Sequence, residues 1–228
     1  MADEHDKEAG HQEGSFTYVQ ELPQLTKLIE DVTTGDAAPA ALEAARDQII
    51  EILEKYQLQP ALLDPHLEAM LAKLFVPVRA NDARRLHPLM RIVYILTKVR
   101  GHKTVVKFFP HEVKDLEPAF DLLQKHSDSN ENWETTYVLL LWLSIISRVP
   151  FNLASIDTQE GEGGALLDRI MSAAMAFLDQ PSKSRDGAAV LIAQLLTRPD
   201  VEPQLIRFTD WVRGPRLQFG TPAAVATR

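Results

Sequence analysis

Apolar residues recur at intervals of three and four along most of this 228-residue chain. That spacing places them on one face of an α-helix, whereas a half-buried strand alternates apolar and polar residues, and no segment does so convincingly. We therefore predict an all-α protein. The predicted helices cover Leu42–Tyr56, Leu67–Phe75, Leu86–Val99, Leu116–Leu123, Trp133–Val149, Ala165–Asp179, Ser184–Thr197 and Pro203–Val212.

Proline and acidic residues mark where several of these helices begin and end. Asp36 is a candidate N-cap with Pro39 in the first turn, and Asp64-Pro65 is a second start signal because proline at the first helical position loses no hydrogen bond. Pro77 is predicted to stop the helix that Asp64 opens.

The next helix has a start and a stop signal of its own. Asn81 or Asp82 can cap its first turn, and Gly101 stands where a left-handed C-terminal cap is expected. Pro110 closes the short basic piece that follows, and the polar run Ser127–Asn132 predicts a turn.

Pairs of these helices begin at a nearly constant interval. The predicted hairpins start near Phe16, Asp64, Glu112 and Gly164, so successive hairpins begin 48, 48 and 52 residues apart. HEAT and armadillo repeats have periods of roughly 40–47 residues. We predict a HEAT/armadillo-like α-solenoid of antiparallel helical hairpins, with a compact helical bundle as the alternative.

The chain divides into three parts on this prediction. Residues 1–14 are polar and acidic and are expected to form a disordered tail, residues 15–212 form the helical-repeat segment, and residues 213–228 form a polar, disordered C-terminal tail. The helix Trp133–Val149 is apolar on nearly all sides beyond Tyr137, which predicts that neighbouring helices cover it.

Composition excludes several classes of protein. Apolar residues make up 45% of the chain, and there is no cysteine, so disulfides, thiolate metal sites and cysteine nucleophiles are impossible. The acidic N-terminus is no signal peptide, and the longest apolar run, Tyr137–Ile146, is about half of the roughly 20 residues that a spanning helix needs. We expect a soluble cytosolic protein that does not bind membranes.

The charge is distributed unevenly. The net charge is −8, yet the segment from Arg79 to Lys107 holds eight basic residues and one acidic residue, Asp82. The remaining 16 basic and 31 acidic residues make the rest of the chain acidic, which argues against a nucleic-acid partner. An acidic protein partner is favoured, although a solvated helix face with basic residues is an open alternative.

We predict a partner-binding surface where this basic segment meets two phenylalanines. The candidate residues are Arg100, His102, Lys103, Lys107, Phe108 and Phe109. Exposed aromatic residues beside cations often dominate interface energetics. The alternative is that both phenylalanine rings pack between hairpins as part of the core.

No motif in the sequence indicates catalysis or a bound cofactor. The Gly161–Gly164 run lacks the Lys-Ser/Thr of a phosphate-binding loop, and there is no G-x-S-x-G motif. The histidines do not show helical metal-binding spacing: His111-Glu112 is followed by Asp115 where a zinc protease would need histidine. We predict no catalytic residues, no metal and no cofactor, and therefore no enzyme.

Four blocks in order carry a family resemblance: YQLQPALLDPHLEAML, YILTKVRGHKTVVKFFPHEVKDLEP, NWETTYVLLLWLSIISRVPFNL and SRDGAAVLIAQLLTRPDV, within Tyr56–Val201. They closely resemble the N-terminal region of the tubulin-specific chaperone D (tubulin-folding cofactor D) family. The resemblance fades after Val201. It supplies no catalytic residues and no tubulin contacts that can be assigned to positions in this chain.

The resemblance implies a long HEAT/armadillo-type solenoid that is cytoplasmic and microtubule-associated, and of which this chain is the first segment. It also implies binding of β-tubulin and assembly of the αβ-tubulin heterodimer. The implied partners are tubulin-folding cofactors C and E and an Arf-like small GTPase, with a contribution to activating GTP hydrolysis by tubulin. Two other classes stay open: a generic helical-repeat scaffold or transport adaptor that binds proteins or peptides, and, less favoured, a hydrolase.

Overall fold

The computed structural model describes residues 18–126, 132–150 and 166–214, and every regular element within these ranges is helical. Three short 3-10 turns lie between the helices, at Pro60–Leu63, Val106–Phe108 and Val113–Asp115. The α-helices are α1 (Leu22–Thr34), α2 (Pro39–Glu54), α3 (Asp64–Arg79), α4 (Ala83–Arg100), α5 (His102–Val105), α6 (Leu116–His126), α7 (Trp133–Ile146), α8 (Leu166–Leu178), α9 (Ser184–Leu195) and α10 (Glu202–Arg213).

The helices stack as antiparallel hairpins in two layers. The hairpins are α1/α2, α3/α4, α6/α7 and α8/α9, and their first helices begin 42, 52 and 50 residues apart. The second helices form a continuous layer in which α2 packs on α4, α4 on α7, and α7 on α9. This order confirms the predicted all-α, armadillo-like stack, since each hairpin buries its apolar stripe against the next one.

Helix α7 lies at the centre of the stack. It packs against α4, α6 and α9, and ten of its 14 residues are buried. Trp142 packs edge-on against Phe75, with ring centroids 5.0 Å apart, and its indole N–H donates to the Pro110 carbonyl at 2.7 Å. Burying this indole therefore leaves its only donor satisfied. In the part of the chain that the structure describes, no helix is both long enough and apolar enough to cross a membrane.

Two of the predicted helix boundaries are confirmed. The Asp82 carboxylate accepts a hydrogen bond from the Arg84 amide at 3.1 Å, which satisfies a donor in the first turn of α4. Gly101 ends the same helix with a φ of 91°, a backbone angle that residues with a Cβ rarely adopt.

Three other predicted boundaries are wrong. Helix α2 is preceded by Ala38 as its N-cap, and Asp36 instead pairs with Arg84 at 3.1 Å. Pro77 does not stop α3, because its buried ring packs into the last turn and only one backbone hydrogen bond is lost before the helix ends at Arg79. Helix α7 ends at Ile146, three residues earlier than predicted.

The predicted tail at 1–14 lies outside the described residues, as do most of the predicted turn at Ser127–Asn132 and residues 151–165, which include the Gly161–Gly164 run. The predicted C-terminal tail lies outside them as well, except for its first two residues, Arg213 and Gly214. Arg213 is the last residue of α10.

Candidate protein-binding surface

Five of the six predicted binding residues lie on the connection between α4 and α6, and the sixth, Arg100, is the last residue of α4. Gly101 turns the chain out of α4, and the short helix α5 and the following 3-10 turn then carry His102, Lys103, Lys107 and Phe108. Val105 is fully buried and fixes this connection to the hairpin stack. The connection is therefore packed against the stack, while Lys103 and Lys107 on it are exposed.

The two phenylalanines belong largely to the core. Phe109 is 1% exposed and its ring centroid is 4.9 Å from that of Phe75. Phe108 is half-buried and packs against the same core. Phe109 therefore has no surface to offer a partner in this structure, in line with the alternative considered for the two rings, and we remove it from the candidate surface.

Arg100 is held by an internal ion pair. Its guanidinium donates two hydrogen bonds to the Asp64 carboxylate, one of them at 2.7 Å, in a fork that joins the end of α4 to the start of α3. The hydrogen bond from Arg100 lowers the pKa of Asp64 below its ordinary value. Because both charges are already partnered, Arg100 has a structural role.

Most of the other basic residues in the segment are paired in the same way. Arg85 bonds both Asp82 and the Gly35 carbonyl, which links α4 to the turn after α1. The remaining pairs are Arg79 with Glu112 and Asp115, Arg84 with Asp36, Arg91 with Glu134, and Lys98 with Glu54. Six of the eight basic residues thus have acidic partners, most of them on neighbouring helices or connections, and the local surplus of charge is largely neutralised.

Two of the eight basic residues, Lys103 and Lys107, have neither an ion pair nor a side-chain hydrogen bond within the described ranges. Both are exposed, and both lie on the connection between α4 and α6. His102 is half-buried beside them. The candidate surface that is left therefore consists of Lys103 and Lys107 with His102 and the exposed part of Phe108.

Lys107 also lines a cleft whose other residues the sequence did not single out. The cleft has a volume of about 450 Å³ and is lined by Lys107, His111, Ile145, Arg148, Val149 and Pro150. Arg148 is exposed and has no acidic partner among the described residues. The sequence led us to consider His111 only as part of a zinc motif and did not single out Arg148, because no linear motif connects either residue with Lys107. The packing of α7 beside the connection brings the three residues together.

A second cleft, of about 610 Å³, shares Arg148 and Pro150 with the first and extends to the end of α9. Its wall is fixed by Arg198, which donates to the Ser147 carbonyl at 2.8 Å and to the Val149 carbonyl at 3.1 Å. Arg198 also forms an ion pair with Asp200, which lowers the pKa of that carboxyl. The ends of α7 and α9 are thereby tied together.

One histidine pair stands apart from this surface. The rings of His87 and His126 meet edge-on, with centroids 4.8 Å apart, and the Nδ1 atom of His87 lies 2.8 Å from the Thr135 hydroxyl. Burial lowers the pKa of both histidines. No group of three or more His, Asp or Glu side chains is placed to hold a metal ion in the described ranges.

Helical hairpins that each pack on the next one define an armadillo-type helical-repeat protein. A family model described as "Tubulin-specific chaperone D-like, ARM repeat" matches residues 53–214. The chain belongs to this family. The match extends to the end of α10, so the expectation that the resemblance fades after Val201 is wrong.

Two curated relatives are similar over most of the chain. Tubulin-specific chaperone D from Dictyostelium discoideum is 26% identical over 296 aligned positions, covering 86% of this chain and 20% of that protein. Tubulin-folding cofactor D from Schizosaccharomyces pombe is 26% identical over 186 positions, covering 81% of this chain and 16% of that protein. The chain thus spans a fifth or less of the length of these relatives. No solved structure gives a significant match.

Proposed function

We propose that the chain acts as a tubulin-folding cofactor segment that binds β-tubulin and takes part in assembly of the αβ-tubulin heterodimer. In this proposal it works in the cytoplasm, in association with microtubules, with tubulin-folding cofactors C and E and an Arf-like small GTPase. The observation that carries the proposal is the family match over residues 53–214, supported by the names of the two relatives.

The proposed activity is binding, without a chemical step on the chain itself. A helical-repeat surface can hold a folding intermediate through many weak contacts, since its elongated face is formed before the client arrives. Any stimulation of GTP hydrolysis would then occur on tubulin and follow from how the client is held.

Lys103 and Lys107 are the residues of the candidate surface best suited to steer an acidic client. Both ammonium groups are exposed and have no carboxylate partner among the residues that the structure describes, so no described carboxylate cancels their fields locally. Attraction between such exposed charges acts mainly on the rate of association and is screened over roughly 8–10 Å at physiological salt. His102 and Phe108 flank the two lysines and supply a less polar rim.

The test is the rate at which purified β-tubulin associates with the full chain immobilised on a sensor surface, recorded at low and at physiological salt. The variant Lys103→Glu with Lys107→Glu is compared with a matched reversal of two exposed lysines elsewhere, Lys27→Glu with Lys125→Glu. We expect slower association for the first variant only, and a smaller difference at higher salt. Absence of β-tubulin binding by the wild-type chain, or binding of many unrelated proteins instead, would replace the proposal with a general helical-repeat adaptor.

A further inference from the structure

The cleft beside the end of α7 combines cations with an apolar floor. Lys107 and Arg148 are exposed and stand at its rim, while Ile145 and Val149, both half-buried, form its apolar floor. Two elements that are distant in sequence supply the two cations. Such a mixture can hold a ligand that is both negatively charged and partly apolar.

The two cations at the rim differ from most cations of the basic segment. In that segment six of eight basic residues are neutralised by carboxylates, whereas Lys107 and Arg148 have no such partner within the described residues. The helix dipole gives one reason for Arg148, which lies two residues beyond the end of α7. It gives no reason for Lys107 to line the same cleft.

His111 adds an oriented polar group to the cleft. Its Nδ1 atom lies 3.0 Å from the Phe109 carbonyl oxygen, and because a carbonyl only accepts, Nδ1 carries the hydrogen of this bond. The Nε2 atom is then the nitrogen left to interact with a ligand. The hydrogen bond also holds the His111 ring against the backbone of the buried Phe109, so the ring is oriented before a ligand binds.

We propose that this cleft binds an extended acidic peptide. Two of its carboxylates pair with Lys107 and Arg148, and an apolar side chain between them rests on Ile145 and Val149. The lysine offers three donors and the guanidinium five, so both can hold a carboxylate with charge-assisted hydrogen bonds. This inference does not depend on β-tubulin being the client, because it rests only on the charge and shape of the cleft.

The neighbouring cleft limits where the acidic part of the peptide can lie. Arg198 is already paired with Asp200 there, and a carboxylate placed beside Asp200 would meet a like charge. The peptide's carboxylates are therefore restricted to the end between Lys107 and Arg148. In the second cleft, on the far side of Arg148, neutral residues of the peptide are favoured.

The test uses fluorescence anisotropy of the full chain with a short labelled peptide in which glutamates alternate with leucines. Companion probes replace the glutamates by glutamines, or the leucines by serines, and a labelled single-stranded DNA tests for general binding of polyanions. The cleft variant is Lys107→Glu with Arg148→Glu, and the matched control, Lys27→Glu with Lys125→Glu, changes the net charge equally. A third variant, Ile145→Ser, probes the floor while leaving every charge in place.

We expect the cleft variant to lose about tenfold or more in affinity for the Glu-Leu peptide at low salt, and the control to lose little. The glutamine and serine probes and Ile145→Ser should each weaken binding, and a circular dichroism melt should show that both exposed charge reversals leave the chain folded. Equal losses in the cleft and control variants, undiminished binding of the glutamine probe, or competition by DNA at equal concentration would overturn the proposal.

Discussion

Helices α7 and α10 have similar lengths, and α7 contains two tryptophans and α10 one, yet the two helices are buried to very different extents. Ten of the 14 residues of α7 are buried and none of the 12 in α10. Trp142 is 1% exposed and hydrogen-bonded, whereas Trp211 is half-buried and stacks on Phe208 with ring centroids 5.7 Å apart.

The difference follows from the number of neighbours that each helix has. Three helices surround α7, while α10 is connected to α8 by polar contacts of Gln204 with Asp168 and of Arg207 with Ser172, each at 2.9 Å. Leu205 and Ile206 of α10 stay 41% and 56% exposed. Position in the stack therefore determines how much an amphipathic helix contributes to stability, because each neighbour removes further apolar surface from water.

The largest effect is expected from truncating the two tryptophans. Trp142→Ala should lower the free energy of unfolding by about 3–5 kcal/mol, because it leaves a cavity in the core and an unpaired carbonyl at Pro110. Trp211→Ala should cost about 1 kcal/mol, because that ring is only half-buried. Urea denaturation of both variants gives the comparison. Equal losses would mean that α10 is as integral to the fold as α7.

A second effect is expected where α9 packs against α7. A Cβ at Gly187 would lie 3.1 Å from the Tyr137 carbonyl oxygen and 3.2 Å from the Leu140 Cβ. Gly187→Leu should therefore separate the two helices and destabilise the chain by about 1–3 kcal/mol. Ala189→Leu introduces the same side chain on the exposed face of α9 and should change stability little. Thermal melts that rank the two variants in the reverse order would contradict this packing.

Ion pairs inside and at the end of the stack should also differ. The double-mutant cycle of Asp64→Ala and Arg100→Ala should give a coupling energy of about 0.5–1 kcal/mol, kept modest because Asp64 is 39% exposed. The corresponding cycle for Asp168 and Arg207, which are 3.9 Å apart and more exposed, should give a coupling near zero.

Acid titration tests the first of these pairs independently. The pKa of Asp64 is lowered by Arg100, so its contribution to stability is present above the unfolded value, near 3.8, and is lost as pH falls through the lowered folded value. When urea denaturation is repeated at successively lower pH, the midpoint should therefore fall less steeply for Asp64→Ala than for the wild type. An identical acid limb in the variant would show that the pair contributes nothing.

The smallest effect is expected from His87, which lies at the interface of α4 with α7. Burial lowers its pKa and nearby His126 lowers it further, so between the folded value and 6.5 the unfolded chain binds more protons than the folded one. Stability should therefore decline as pH falls below 6.5 and level off below the folded value. His87→Asn should reduce this decline, and so should His126→Asn, because it removes the repulsion. A steeper decline in either variant would contradict the assignment.

The local parts of the fold could be predicted from the sequence. Helical periodicity, the cap at Asp82 and the turn at Gly101 depend on residues close together in the chain. The role of Arg100 could not be predicted, because its partner Asp64 lies 36 positions earlier and becomes a neighbour only when α3 and α4 pack. For Phe109 the sequence left two possibilities open, a surface position and a core position, and only its contact with Phe75, 34 positions earlier, decides for the core.

The candidate surface was predicted in part. Lys103 and Lys107 follow from the basic composition of the segment, but composition cannot distinguish them from the six basic residues that carboxylates neutralise. Arg148 and His111 become part of the cleft only through the position of α7 beside the connection. A local excess of charge thus identifies a region, and pairing in the fold identifies the residues that remain available.

The continuous layer α2–α4–α7–α9 holds the protein together, which native-state hydrogen exchange can measure helix by helix. Amides of α7 should exchange only through global unfolding, with a free energy close to that from urea denaturation, while amides of α10 should exchange through a smaller, local opening. Protection in α10 equal to that in α7, or fast exchange within α7, would contradict the claim.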